Sequence, residues 1–211
     1  MESNKITFVI PSRNNLEFLQ LAYKSIRDLK TKHEILVLND ASTDGTQEWI
    51  ESLDDEDLIT HHNPGPERIG IVGMFDKGIE MARTDIIMAF HADMIAAPKL
   101  DENILKHLEK GTVVSATRVE PPLHPDGPEK VIADLGDEVE DFDINNFYNW
   151  VNCSISSFRN YLFFKSCLFI YLYLVSNPFL NILKFKFTSC FGNNCCIIRI
   201  PLTDKCPLLY F

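Results

Sequence analysis

The chain has 211 residues, of which 20 are Lys or Arg and 30 are Asp or Glu, and its formal net charge at pH 7 is −10. With 45% hydrophobic and 24% charged residues, its composition is typical of one globular domain. An acidic chain without a Lys/Arg cluster lacks the positive surface that neutralises many phosphates, so we expect no nucleic-acid partner, whereas a small anionic ligand is compatible.

The first third of the chain predicts alternating strands and helices. Residues 6–10 form an apolar run that predicts a buried parallel strand. The run follows a single Lys and is too short for the apolar core of a signal peptide, so we expect the chain to start in the cytosol. Asn14 or Asn15 can cap a helix whose apolar positions 16, 19, 22, 23 and 26 recur at helical spacing. Residues 34–38 predict a second strand, followed by a polar loop at 39–46, a helix from Thr46 and a strand at 58–61.

The next stretch continues the alternation. Turn residues at 63–66 predict a loop, followed by a helix over about 69–82 and an apolar strand at 85–90. Pro98 starts a further helix, Gly111 ends it, and residues 112–116 predict a fifth strand. The order βαβαβαβαβ predicts an α/β fold with a mostly parallel sheet flanked by helices. Two of its polar loops follow strands, at the sheet edge where ligands bind in such folds.

Three segments carry a resemblance to a known family. They read ITFVIPSRNN, EILVLNDASTDGT and DIIMAFHADM. The sequence resembles the family 2 glycosyltransferases, nucleotide-sugar enzymes of the Rossmann-like GT-A fold, over about residues 6–118. The family pattern Asp-Asp-Gly-Ser-Thr-Asp-Gly-Thr is matched at six of eight positions by residues 39–46. The resemblance implies transfer of a sugar from a nucleotide sugar, most simply a UDP-sugar, to a saccharide, lipid or protein acceptor, with inversion in most relatives.

The first two loops contain the residues that we expect to contact the nucleotide. A uracil ring presents an N–H donor between two carbonyl acceptors, so a fixed carboxylate such as Asp40 suits it, and the resemblance implies this role. An alternative interpretation is that Asp40, Ser42 and Asp44 cap the next helix, and we favour it for Ser42 and Asp44. The expected nucleotide-sugar contacts are Pro11, Ser12, Arg13, Asp40, Ser42, His91, Ala92 and Asp93.

The third loop aligns with the family's Asp-any-Asp triplet, whose last carboxylate binds a divalent metal. The resemblance therefore implies that Asp93 is a metal ligand. His91 replaces the first carboxylate and is a second candidate ligand, which favours Mn²⁺ over Mg²⁺. Many relatives also carry an arginine in the preceding helix where this chain has Phe75. Arg68 is a candidate replacement for it, although a solvated cation is the simpler interpretation of Arg68.

Inverting transfer needs a general base, which in the family lies beyond the metal triplet. The nearest candidates by position are Glu120, His124, Asp126 and Glu129, and none of them is assigned. The run 134–143 predicts a solvated acidic face. An alternative function is therefore a catalytically inactive remnant that binds the nucleotide sugar but lacks the acceptor and base half. A dinucleotide-binding Rossmann domain is excluded, because no Gly-x-Gly-x-x-Gly follows the first strand.

Composition changes abruptly after Trp150. Residues 1–150 contain 14 Lys and Arg and 29 Asp and Glu, whereas residues 151–211 contain 6 and 1, together with all six cysteines and nine of the fifteen Phe. We therefore divide the chain into a donor-binding domain, 1–150, and an atypical hydrophobic tail, 151–211, that leaves the C-terminal half of the GT-A fold incomplete. Out-of-frame translation is the favoured explanation of the tail. A membrane-attaching segment at 161–176, shorter than a spanning helix, and an ordinary core segment are the alternatives.

Overall fold

The computed structural model describes residues 4–109, 112–122, 130–154, 161–164, 172–174 and 196–199. In these parts of the chain, the strands are β1 (Ile6–Ser12), β2 (Glu34–Asp40), β3 (Leu58–Asn63), β4 (Ile86–Ala89), β5 (Met94–Ala96), β6 (Thr112–Ser115), β7 (Thr117–Glu120), β8 (Lys130–Ile132), β9 (Tyr161–Phe164), β10 (Leu172–Leu174) and β11 (Cys196–Arg199). The helices are α1 (Leu16–Arg27), α2 (Thr46–Ser52), α3 (Ile71–Met81), α4 (Leu100–His107) and α5 (Ile144–Ser154).

The main sheet has the strand order β10-β4-β1-β2-β3. Strand β1 pairs in parallel with both β2 and β4, and β2 pairs in parallel with β3, so four strands point the same way. The chain moves outward from β1 to β3 and then returns to the other side of β1 for β4. This reversal is a topological switch point, and it lies between the carboxyl ends of β1 and β4.

Helices cover both faces of the parallel sheet because its strands are apolar on both sides. Alternate residues of a strand point to opposite faces. On one face Phe8 and Ile10 belong to the same buried cluster as Leu19 and Ile26 of α1, and on the other face Val9 clusters with residues of α3. Complete burial of one such side chain contributes about 1.5–3 kcal/mol. The predicted α/β architecture is therefore confirmed.

One predicted strand lies outside the main sheet. The sequence predicts a strand at residues 112–116, and the structure confirms it as β6, which pairs antiparallel with β11. The position beside β4 is filled by β10, which runs antiparallel to β4. Because that edge is already paired, β6 cannot join the parallel strands there.

A second sheet lies beyond the switch point, with the order β5-β9-β7-β8. Strand β5 has only three residues and pairs antiparallel with β9, which in turn runs parallel to β7. Helix α5 packs near this sheet through Phe147 and Val151, which share a buried cluster with Ile95 and Val119. This helix contains residue 150, where the composition changes.

The tail is described only in part. Residues 155–160, 165–171, 175–195 and 200–211 lie outside the described residues, so the explanations offered for the tail stay predictions. Of the helices that the structure describes, none combines the length and the apolar character needed to cross a membrane.

Candidate functional site

The loops that follow β1 and β2 are tied together by side-chain hydrogen bonds. The amide of Asn14 donates to Oγ of Ser42 at 3.0 Å, and Oδ1 of Asn14 accepts from the amide of Thr43 at 2.8 Å. Asn39 contributes from the end of β2, since its Oδ1 accepts from the amide of Ser42 at 3.0 Å. Ser42 therefore fixes the distance between the two loops.

Asp44 accepts hydrogen bonds from the first backbone amide of two helices. Its Oδ2 accepts from the amide of Leu16, the first residue of α1, at 2.9 Å. Its Oδ1 accepts from the hydroxyl of Thr46 at 2.6 Å and from the Thr46 amide at 3.2 Å, at the start of α2. These contacts agree with the capping interpretation of Asp44, although the N-cap residue of α2 itself is Gly45. Asn15, predicted as a possible cap of α1, makes no side-chain capping hydrogen bond.

Asp40, at the end of β2, holds the loop between β3 and α3. Its Oδ1 accepts from Nδ2 of Asn63 at 2.7 Å and from the amide of Ile69 at 2.9 Å, and its Oδ2 accepts from the amide of Gly70 at 2.8 Å. Arg68 contributes a cation 3.9 Å from Oδ2. Burial alone would raise the pKa of Asp40, but these hydrogen bonds and the Arg68 charge outweigh it and hold the pKa below the ordinary value. Asp40 is therefore an ionised, buried anchor for residues 63–70.

The end of β1 places a hydroxyl beside this anchor. Ser12 pairs in register with Asn39, the neighbour of Asp40 on β2. Ser12 is buried, and within the described part of the chain its Oγ has no hydrogen-bond partner. Pro11 is also buried, whereas Arg13 is exposed. A buried hydroxyl without a partner is a costly arrangement, which a ligand or a water molecule would relieve.

The loop after β4 supplies His91 and Asp93, with the buried Ala92 between them. The His91 imidazole contacts the ring of Phe75 on α3, with ring centroids 5.5 Å apart. Burial lowers the pKa of His91 and the carboxylate of Asp93 raises it, and the net direction is downward. The imidazole is therefore neutral at pH 7, which is the form in which histidine binds metals.

Asp93 and His91 are the side chains that could supply protein ligands to a divalent cation. Among the residues that the structure describes, no three His, Cys, Asp or Glu side chains converge into a metal cage. Asp93 and His91 lie close enough for the carboxylate to act on the imidazole. A pair of protein ligands suits a divalent cation that takes its other ligands from substrate phosphates and water.

Comparison with known proteins identifies this chain's family. The sequence profile described as Glycosyl transferase family 2 matches residues 7–168, most of the chain. The chain belongs to glycosyl transferase family 2.

This family 2 chain is similar to a curated protein and to a solved structure. It is 27% identical over 118 residues to the undecaprenyl-phosphate mannosyltransferase of Micrococcus luteus, an alignment that covers 54% of this chain and 48% of that protein. It superposes on the crystal structure of S. aureus TarS 1–349 in complex with UDP with a TM-score of 0.50 and 13% identity, covering 58% of this chain and 38% of that one. The chain spans about half the length of the curated relative, and the structural similarity confirms the predicted GT-A fold.

The candidate bases of this family 2 chain stay unassigned. Glu120 is fully buried at the end of β7, and its Oε1 lies 3.0 Å from Nη1 of Arg118. A carboxylate in this setting is poorly placed to reach an acceptor hydroxyl. His124, Asp126 and Glu129 lie outside the described residues.

Two features of the site were not predicted. One is the anchoring of the 63–70 loop by Asp40, because the sequence marks this loop only by its turn residues. The other is the contact between Phe75 and His91. The sequence shows each of them as a separate departure from the family pattern, and only the packing of α3 brings them together.

Proposed function

We propose that this chain binds a nucleotide sugar at the carboxyl edge of the parallel sheet and transfers its sugar to an acceptor. The observation that carries the proposal is the placement of Asp40 at the end of β2 and of Asp93 after β4, on either side of the buried Ser12 at the end of β1. Two strand spacings separate β2 from β4, about 10 Å. A nucleoside diphosphate is long enough to reach from one loop to the other.

The base would bind at Asp40. An ionised carboxylate can accept about four hydrogen bonds, and the protein supplies three to Asp40. One position on Oδ2 is left for the N–H of a uracil ring, with Pro11 and Ser12 beside it. This supports a UDP-sugar as the donor. Ser42 would contribute by fixing the loop. Arg13, which is exposed, would pair with a phosphate.

The diphosphate would bind near the third loop. Asp93 and His91 are the residues that would hold a divalent cation. When bound, such a cation neutralises the negative charge that develops on the departing nucleoside diphosphate. The neutral imidazole of His91 supports Mn²⁺ over Mg²⁺, since imidazole nitrogen is a better ligand for transition ions.

Acceptor and stereochemistry belong to the same proposal. We propose an inverting transfer, as the resemblance implies, and a lipid phosphate as the first acceptor to test, because the M. luteus relative is named for undecaprenyl phosphate. One observation favours the alternative of a binding protein without turnover: Glu120, the candidate base that the structure describes, is buried and paired with Arg118.

A donor panel tests the proposal on the full chain. UDP-glucose, UDP-N-acetylglucosamine and GDP-mannose are each incubated with Mn²⁺, with and without a polyprenyl phosphate, and the released UDP or GDP is measured. If the native chain releases UDP from a UDP-sugar and Asp93→Ala does not, the result supports the proposed enzyme. Saturable UDP binding without release supports the alternative. If GDP is released from GDP-mannose and no UDP is released from either UDP-sugar, the result contradicts the proposal that the site binds uracil.

A further inference from the structure

Two departures from the family pattern meet in space. Phe75 and His91 stand where the resemblance implies an arginine and a carboxylate. Their ring centroids are 5.5 Å apart and the ring planes are inclined by 72°. This edge-to-face geometry is an attractive arrangement of aromatic rings. The two departures therefore meet in one contact between aromatic rings.

The packing of α3 sets this contact. Gly78 faces β1, and a Cβ at this position would collide with Cγ1 of Val9, so its absence lets the helix lie directly on the sheet. Phe75 precedes Gly78 by three residues and shares its side of the helix. Strand β4 lies beside β1 in the sheet. The ring of Phe75, on the side of α3 that faces β1, therefore reaches His91 in the loop after β4.

We propose that Phe75 is a positioning residue for His91, and that the imidazole it holds beside Asp93 makes the cation site prefer manganese-like transition ions to Mg²⁺. The inference rests on the proposed function, in which Asp93 and His91 hold the cation. Imidazole binds first-row transition ions, whereas Mg²⁺ takes oxygen ligands. Outer-shell partners that hydrogen-bond a metal-bound histidine typically change metal affinity by about 10- to 100-fold when they are replaced, and for an aromatic contact we expect the lower end of that range.

Manganese itself is the probe. Mn²⁺ is titrated into the full chain with saturating UDP and followed by electron paramagnetic resonance, Mg²⁺ is used as a competitor, and pulsed measurements detect hyperfine coupling to an imidazole nitrogen. We expect nitrogen coupling in the native chain and its loss in His91→Asp, together with a smaller preference for Mn²⁺. In Phe75→Leu we expect Mn²⁺ affinity to fall roughly 10-fold with Mg²⁺ affinity unchanged.

Two variants separate positioning from packing. Phe75→Tyr keeps the ring, so the preference for Mn²⁺ should be retained. Ile79→Ala removes a partly buried side chain from the same helix and the same buried cluster, so it matches the packing loss and should leave the ratio of the two affinities unchanged.

The outcomes distinguish this inference from the function on which it rests. Binding of Mn²⁺ with UDP but without nitrogen coupling overturns the inference and leaves the proposed function standing. An unchanged affinity ratio in Phe75→Leu overturns it as well. Should Phe75→Leu fail to fold, the nitrogen coupling of the native chain still decides the role of His91. Absence of any Mn²⁺ binding with UDP contradicts the proposed function itself.

Discussion

Replacing Asp40 by asparagine should release the loop at 63–70 while keeping the shape of the side chain. The amide has one oxygen and one NH₂ group where the carboxylate has two oxygens. If the oxygen takes the place of Oδ1, it still accepts from Asn63 and Ile69. The NH₂ group then faces the amide of Gly70. Both groups are hydrogen-bond donors, so no hydrogen bond forms between them. One charge-assisted hydrogen bond, 2.8 Å long in the native chain, is lost.

The size of the effect follows from that single bond. A hydrogen bond to a charged group contributes about 1.5–3 kcal/mol to the free energy of unfolding. For a chain of this length each kcal/mol shifts the melting temperature by about 2–4 °C, so Asp40→Asn should melt about 3–12 °C lower. The loop should also open more often, so the amides of Ile69 and Gly70 should exchange hydrogen roughly 10- to 100-fold faster.

Thermal unfolding and hydrogen exchange of residues 63–70 measure both effects. The control is Asp76→Asn, which makes the same change of charge at an exposed position on α3. It should melt like the native chain and leave the exchange of the loop unchanged. Equal melting temperatures and equal exchange rates in the two variants would refute the idea that Asp40 organises this loop.

Three further predictions concern stability. Gly78→Ala should lower the free energy of unfolding by about 1–3 kcal/mol in a denaturant titration, because its Cβ collides with Val9. Asp101→Asn should weaken a buried contact with His33, whose Nε2 lies 2.9 Å from Oδ2 of Asp101 and whose Nδ1 accepts from the amide of Ile6. We expect the free energy of unfolding to fall by about 1–3 kcal/mol in the same titration. The pKa of Asp101, like that of Asp40, is below its ordinary value because hydrogen bonds outweigh the burial that would raise it. Stability from both carboxylates is therefore present above about pH 4 and lost as the pH falls through their folded-state pKa. Denaturant midpoints should therefore drop below pH 4.

The parallel core could be predicted from the sequence because its signals are local. The apolar runs that became β1 and β2 are bounded by turn and capping residues, and the period of α1 is visible in a single window. The polar loops at the strand ends were predicted for the same reason. The resemblance then supplied roles for Asp40 and Asp93, and these roles stay predictions.

The remaining elements depend on partners that are distant in the chain. Strand β5 has three residues, too few for a pattern, and its pairing with β9 gives it its structure. Helix α5 follows an acidic run and crosses a break in composition, which hid its apolar positions. The hydrogen bond from Gly70 to Asp40 and the contact of Phe75 with His91 join separate elements, so no local signal reveals them.

Titration calorimetry of UDP with Mn²⁺ tests the central claim most directly, because it asks whether the loops after β2 and β4 bind one ligand through a cation. We predict saturable heat of binding for the native chain and for the Asp76→Asn control, and loss of that heat in Asp93→Ala. If the native chain and Asp93→Ala release the same heat, these loops do not form a shared nucleotide site.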